Sequence, residues 1–292
     1  MKTDFTSRRK ARTVLAFVLY LCIIMCALCV EFVSVTANPK TFAKEFTNSV
    51  YVENMRCDIA RYTKDLCQAS SVPDNFVDNL ITYDNIYKIE NAYVSDEFAS
   101  SREFSSDAYA GLITQFKENV AKSVDNVIKS NNISVDKSVN DTAVDDFAQN
   151  VADYAGKVTQ FGYASQVKDF CDLSKTVCSI VIAVCGAIGI GVIVSLFKRT
   201  SMKYHATRNI AYSLLAAFIM NLIVLAAVAV TKATRQLVIY PTYLVDVFIR
   251  WLNDSMCALA IGSGVLGILF VAFVCFTWKQ KHDINTVSYT HL

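Results

Sequence analysis

Two polar side chains interrupt stretches that are otherwise apolar enough to enter a bilayer, and these are the first places where chemistry could occur. Glu31 lies within the run Val14 to Val35, and Asn221 lies within the run Ala211 to Val230. A charge at the centre of a span costs about 2.5 to 3.5 kcal/mol on insertion scales and less near its end. Glu31 is close to the end of its run, so it is expected to snorkel to the outer interface. Asn221 lies mid-run and is expected to hydrogen-bond a neighbouring helix. A third feature, Gly262-Ser263-Gly264, has the form of an intramembrane nucleophile. Such a serine needs a base beside it, and no histidine or lysine shares the run, so these small residues are read as packing.

The usual enzymatic constellations are missing. His205, His282 and His291 all fall in flanks of apolar runs, which leaves the large polar segment without the common proton shuttle or metal ligand. There is no phosphate-cradling glycine loop or dinucleotide fingerprint. The basic residues expected in the cytoplasm are few and fit topology and anionic lipid better than nucleic acid. No catalytic residue, cofactor or metal site is therefore expected. Most of the ten cysteines lie in or beside apolar runs as small hydrophobic residues. Cys57, Cys67 and Cys171 are the exceptions. On one helix Cys57 and Cys67 would stand about 15 Å apart, too far to bridge, although either could meet Cys171.

The elements that must position these residues are spans. About 20 mostly apolar residues of helix cross a hydrocarbon core, and four runs qualify: 14–35, 177–197, 211–230 and 258–276. Lys2, Arg8, Arg9, Lys10 and Arg12 precede the first run, and Lys198, Arg199, Lys203 and Arg208 lie in the link 198–210. By the positive-inside rule the N-terminus (1–13), that link and the tail 277–292 belong in the cytoplasm. Residues 36–173, with 21 acidic against 13 basic side chains, belong outside. The first run is longer than a usual signal-peptide core, and an uncleaved anchor is expected. Ala183, Ala187 and Gly191 at four-residue steps in the second run, with Gly186 and Gly189 beside them, and Ala258, Gly262, Ser263, Gly264 and Gly267 in the fourth, are small enough to let helices approach closely. They are each other's contact or a dimer face.

Residues 36–173 are expected to form one compact helical domain. Helix signals cover Tyr51 to Gln68 and a segment from Thr82 to about Phe98. A stripe of Ile113, Phe116, Val120, Val124 and Val127 follows Ser105-Ser106-Asp107, and a second stripe of Val144, Phe147, Val151, Tyr154, Val158 and Phe161 follows Asn140-Asp141. Gly162 is a candidate break. Ser71-Val-Pro-Asp74 has the pattern of a capping box. In the link 231–257, Pro241 precedes an amphipathic segment whose Leu244, Val247, Phe248 and Trp251 share a face. It is expected to be a short interfacial helix with Trp251 as its anchor.

The basic start, the helical segment after the first span, the phrase KYHATRNIAYSLLAA and the Pro241-Thr-Tyr-Leu link together resemble a group of four-span membrane proteins from Gram-positive gut bacteria. That resemblance implies a topology and no activity. The layout is also similar to the mechanotransmission permeases of ABC systems, which would imply a cytoplasmic ATPase partner. Those permeases usually carry a mixed α/β outer domain. The last residues, VSYTHL (287–292), resemble a translated sequencing adapter, and the natural tail is expected to differ there. The sequence thus predicts an all-α integral protein of the plasma membrane that binds a protein partner through its outer domain. A transport subunit is the alternative.

Overall fold

Inside hydrocarbon, backbone polar groups are satisfied only by helices or closed barrels, and Pro39, Pro73 and Pro241 all lie outside the four apolar runs. The computed structural model is accordingly all-α. It describes residues 2–98, 107–131, 137–200, 203–231 and 241–289, with side chains over 10–98, 108–131, 141–200, 203–230 and 241–282. No strand occurs among the described residues. The helices are α1 (Lys2–Glu31), α2 (Pro39–Phe46), α3 (Ser49–Ala69), α4 (Val77–Leu80), α5 (Tyr83–Phe98), α6 (Asp107–Ser130), α7 (Lys137–Thr159), α8 (Ala164–Arg199), α9 (Lys203–Thr231) and α10 (Tyr243–Tyr289). A π-helical turn, Phe32–Thr36, follows α1. The helices α1, α8, α9 and α10 are each long and apolar enough to cross a membrane.

The chain divides into two compact units, one of Met1–Asn38, Phe170–Leu237 and Trp251–Leu292, the other of Pro39–Asp169 and Val238–Arg250. In the first unit Leu19 and Ile24 of α1, Leu196 of α8, Ile210 and Leu214 of α9 and Leu266 of α10 share one buried cluster. The Ser213 hydroxyl donates to the Ala16 carbonyl at 2.8 Å, so small residues bring α9 onto α1. The opposite faces remain apolar. Ile190, Ile261 and Ile268 are 66%, 69% and 71% exposed, an arrangement that water would penalise and lipid accepts.

The second unit is built on aromatic side chains. Phe42 and Phe46 of α2 are fully buried, and their rings pack on Phe98, Phe161 and, from Phe42, Phe248. Around them α3 packs on α5 and α7, and α6 packs on α7. Asn48 caps α3 by accepting from the Val50 amide at 3.0 Å. Thr82 takes the same place before α5, its hydroxyl accepting from the Asn85 amide. The stripe of Phe116, Val120, Val124 and Val127 is buried, as its spacing requires.

Several local expectations differ from what is found. Ser71 to Asp74 start no helix, because Ser71 takes a left-handed φ of 55° in the turn that closes α3, and only the four-residue α4 follows. α7 begins before Asn140, and a break over residues 160–163 separates it from α8 at the candidate Gly162. Tyr93 secures that break: its hydroxyl donates to the Phe161 carbonyl at 3.1 Å and accepts from the Phe161 amide at 3.0 Å. The expected interfacial helix after Pro241 is no separate element. It forms the first turns of α10, a single helix of 47 residues, because nothing between Tyr243 and the fourth apolar run breaks helical bonding.

Candidate functional site

Three of the side chains singled out in the sequence converge in the first unit. The Asn221 side-chain amide donates from Nδ2 to Glu31 Oε1 at 2.8 Å, joining α9 to α1. Gly262 of α10 faces the same carboxylate, and a Cβ built there would stand 1.7 Å from Glu31 Oε1. The absent side chain is what admits the acid. Glu31 is only 7% exposed and Asn221 is fully buried. The expected inter-helix hydrogen bond of Asn221 is present, and its partner is the acid itself. Glu31 does not snorkel, because the amide and the glycine offer it a polar and sterically open seat within the helices.

Two acceptors of this cluster are left over. Glu31 Oε2 and Asn221 Oδ1 are buried and have no hydrogen-bond partner among the described residues. Buried polar atoms without a protein partner are rare, and a bound water or a functional role accounts for many of them. Beside them lies a cavity of about 330 Å³ whose apolar wall is made by Leu28, Phe32, Val224 and Leu259. Glu31, Thr36 and Ser255 and the thiols of Cys29 and Cys178 complete its lining, and the Thr36 hydroxyl donates to Ser255 Oγ at 2.9 Å.

Glu31 and Thr36 line one cavity because of the π turn between them. Five residues along an α-helix end about 140° from where they began. The i→i+5 bond from the Ala37 amide to the Phe32 carbonyl, 2.8 Å long, widens the turn and returns Thr36 towards the face of Glu31. Single π turns recur at functional sites.

The remaining candidates are placed differently. Gly191 is exposed, and nothing lies within 4 Å of where its Cβ would be. Close packing of α8 within the chain falls instead to Gly189, which faces Leu19 and Cys22 of α1. Ala183 and Ala187 share the open face of Gly191. Trp251 is half-buried on α10, where its carbonyl accepts from the Ser255 hydroxyl at 2.9 Å. All ten cysteines are free, and Cys57 and Cys67 indeed share one helix.

The second unit has two features of its own. A cleft of about 670 Å³ is lined by Asn54, Cys57, Asp58, Arg61 and Asp246, with Tyr243 beside them. Arg61 is paired with Asp58, whose second oxygen accepts from the Tyr154 hydroxyl at 3.2 Å. Cys57 is exposed on the same wall. Deeper in the unit, Glu90 is fully buried and neither carboxyl oxygen has a hydrogen-bond partner among the described residues. Burial pushes its carboxyl well above the usual range. The sequence does carry a signal for Glu90: in YDNIYKIENAYV it falls on the stripe of Ile86, Ile89, Tyr93 and Val94, the face that packs on the core and where a charged side chain is out of place.

The Gly262 contact yields a direct check. Gly262→Ala should displace the flexible carboxylate rather than the backbone, at a cost of about 1–3 kcal/mol typical of overpacking. In a Glu31→Ala background the same change should cost almost nothing. Thermal unfolding of the four full-length variants in detergent reads this cycle, and equal costs in both backgrounds would rule out the contact.

No protein-family model, curated protein or solved structure matches the chain.

Proposed function

We propose that the chain is a multi-pass protein of a bacterial plasma membrane that acts by binding, without catalysis. In this reading the unit containing Pro39–Asp169 lies outside the cell and both termini lie in the cytoplasm. The basic flanks of the apolar runs and the acid excess of residues 36–173 support the orientation. The observation that carries the binding role is the cleft of about 670 Å³ at Asn54, Asp58, Arg61 and Asp246. It offers both signs of charge and amide and hydroxyl groups, which suits a polar surface of a protein partner at the cell exterior.

Cys57 supplies the test, being a native exposed thiol on the cleft wall. A membrane-impermeant maleimide carrying a photo-reactive group, applied to intact cells, should label Cys57 and give a covalent adduct with a protein partner on illumination. Cys57→Ser should lose both. Labelling only after permeabilisation would reverse the orientation, and labelling without an adduct would remove the cleft as the binding face.

A second reading has one observation in its favour. Ionisable groups buried between spans mark ion and substrate pathways, and the Glu31–Asn221 pair is of that kind. On this reading the chain is a transport or mechanotransmission subunit, and purification from native membranes in mild detergent should recover a cytoplasmic ATPase in fixed proportion.

A further inference from the structure

Five of the ten cysteines line one seam between α1 and α8, and their spacing is what brings them together. Cys22 and Cys29 stand seven residues apart on α1, and Cys178 and Cys185 stand seven apart on α8. Seven residues are close to two helical turns, so each pair shares a face. The thiols meet in opposite chain order, Cys29 with Cys178 and Cys22 with Cys185, as antiparallel helices require. Gly189 keeps the two backbones close, since a Cβ built there would lie 3.8 Å from the Cβ of Cys22. Between the two thiol pairs, the Cys26 thiol donates to the Ile182 carbonyl at 3.9 Å.

The two pairs differ in access. Cys29 and Cys178 stand in the wall of the cavity of about 330 Å³, and Cys22 and Cys185 do not. The other polar groups of that wall are engaged or out of reach. Glu31 Oε1 accepts from Asn221 and Oε2 is buried, while the Thr36 and Ser255 hydroxyls are bonded to each other. What the cavity offers a ligand is therefore a pair of adjacent sulfurs in an apolar surround. Among the described residues no group of three or more His, Cys, Asp and Glu side chains is placed to hold an ion. That count argues against zinc, whose protein sites take three or four ligands. Thiolates select soft ions, and Cu(I) is satisfied by two sulfurs in line.

We propose that Cys29 and Cys178 form a two-coordinate site for a soft monovalent metal ion, Cu(I), reached through the cavity. Each thiol releases its proton to water as its sulfur binds, so two S–H bonds give way to two S–Cu bonds and the copper remains Cu(I). The bound ion ties α1 to α8 at the ends of their apolar runs that adjoin residues 36–173.

The test uses the full-length chain in detergent, with Cu(I) kept reduced by ascorbate and buffered by a chromogenic Cu(I) chelator. The protein should withdraw copper from the chelator, and X-ray absorption fine structure should show two sulfur neighbours. Cys29→Ser and Cys178→Ser should each lose that tight binding, whereas Cys22→Ala combined with Cys185→Ala should keep it. Ag(I) should compete, and Zn(II) should not. Copper left wholly with the chelator, oxygen or nitrogen neighbours in the fine structure, or tight binding that survives either serine change overturns the proposal. Loss of binding in a folded double alanine variant does the same. If the serine variants do not fold, the unaltered chain decides: bound Cu(I) should block alkylation of Cys29 and Cys178 by N-ethylmaleimide, read by mass spectrometry, and unhindered alkylation overturns the site.

Discussion

Stability of the helical unit should fall as pH rises from about 4 to 7, and Glu90→Gln should flatten that dependence. In the unfolded chain this carboxyl titrates near an ordinary glutamate value of about 4.3. In the folded unit burial holds it well above that, so the folded state keeps a proton that the unfolded state has released. The unfolded state then gains free energy as pH increases. The loss of folded stability approaches about 1.4 kcal/mol per pH unit until the folded pKa is passed, and below the unfolded pKa Glu90 contributes no slope. The phenols of Tyr51, Tyr93 and Tyr109 interact with Glu90, and all three are raised by burial, Tyr93 to about 12. They remain neutral across the window and leave the sign unchanged. Glu90→Leu should go further and stabilise the unit by about 1–3 kcal/mol even at low pH, because two orphaned oxygens are removed. Urea midpoints read by pulse proteolysis of the full-length protein at several pH values will show both effects. A midpoint that rises with pH in the unaltered protein, or a slope that survives Glu90→Gln, would refute the assignment.

Phe42→Ala should destabilise the same unit by about 3–5 kcal/mol, the range for deleting a buried aromatic side chain. Phe42 is completely buried, and its ring meets those of Phe46, Phe98, Phe161 and Phe248 from four different stretches of the chain. Few single side chains tie together so many elements. Hydrogen exchange on the full-length protein in detergent should show a large loss of amide protection in peptides of α2, α5 and the 160–163 turn together. Loss confined to α2 would mean that the rings are neighbours without being a common core.

The spans were legible because hydropathy over about 20 residues needs no knowledge of tertiary contacts. The same holds for α3 and α6, whose stripes repeat at helical spacing over several turns. Expectations failed where one residue's surroundings decided the outcome. Glu31 was expected at an interface because depth in a run is visible in sequence, whereas the space opened by Gly262 on another helix is not. Ser71 to Asp74 carried a start pattern, yet the preceding helix needed a left-handed residue to close, and Ser71 was taken for that. Pro241 correctly marked a helix start. The end of that helix was expected from amphipathicity, but a change from amphipathic to uniformly apolar faces does not interrupt backbone hydrogen bonds. Gly191 and Gly189 are two residues apart and indistinguishable by type; only rotation about the helix axis decides which one meets α1.

The π turn after Glu31 gives the cavity an unusual sensitivity. A π turn is in effect an α-helix carrying one surplus residue, so its geometry is written in the arithmetic of the chain as well as in its chemistry. Each residue added to or taken from a helix rotates everything beyond it by about 100°. Relaxation of Phe32–Thr36 to ordinary α-helix with every residue kept would leave Thr36 about 140° from Glu31, whereas removal of one residue would bring it to about 40°, on the same face. In a gene encoding this protein, loss of a single codon there would therefore replace the π turn by plain α-helix and still leave Thr36 on the face of Glu31, so the segment tolerates a change of length better than a change of winding at fixed length.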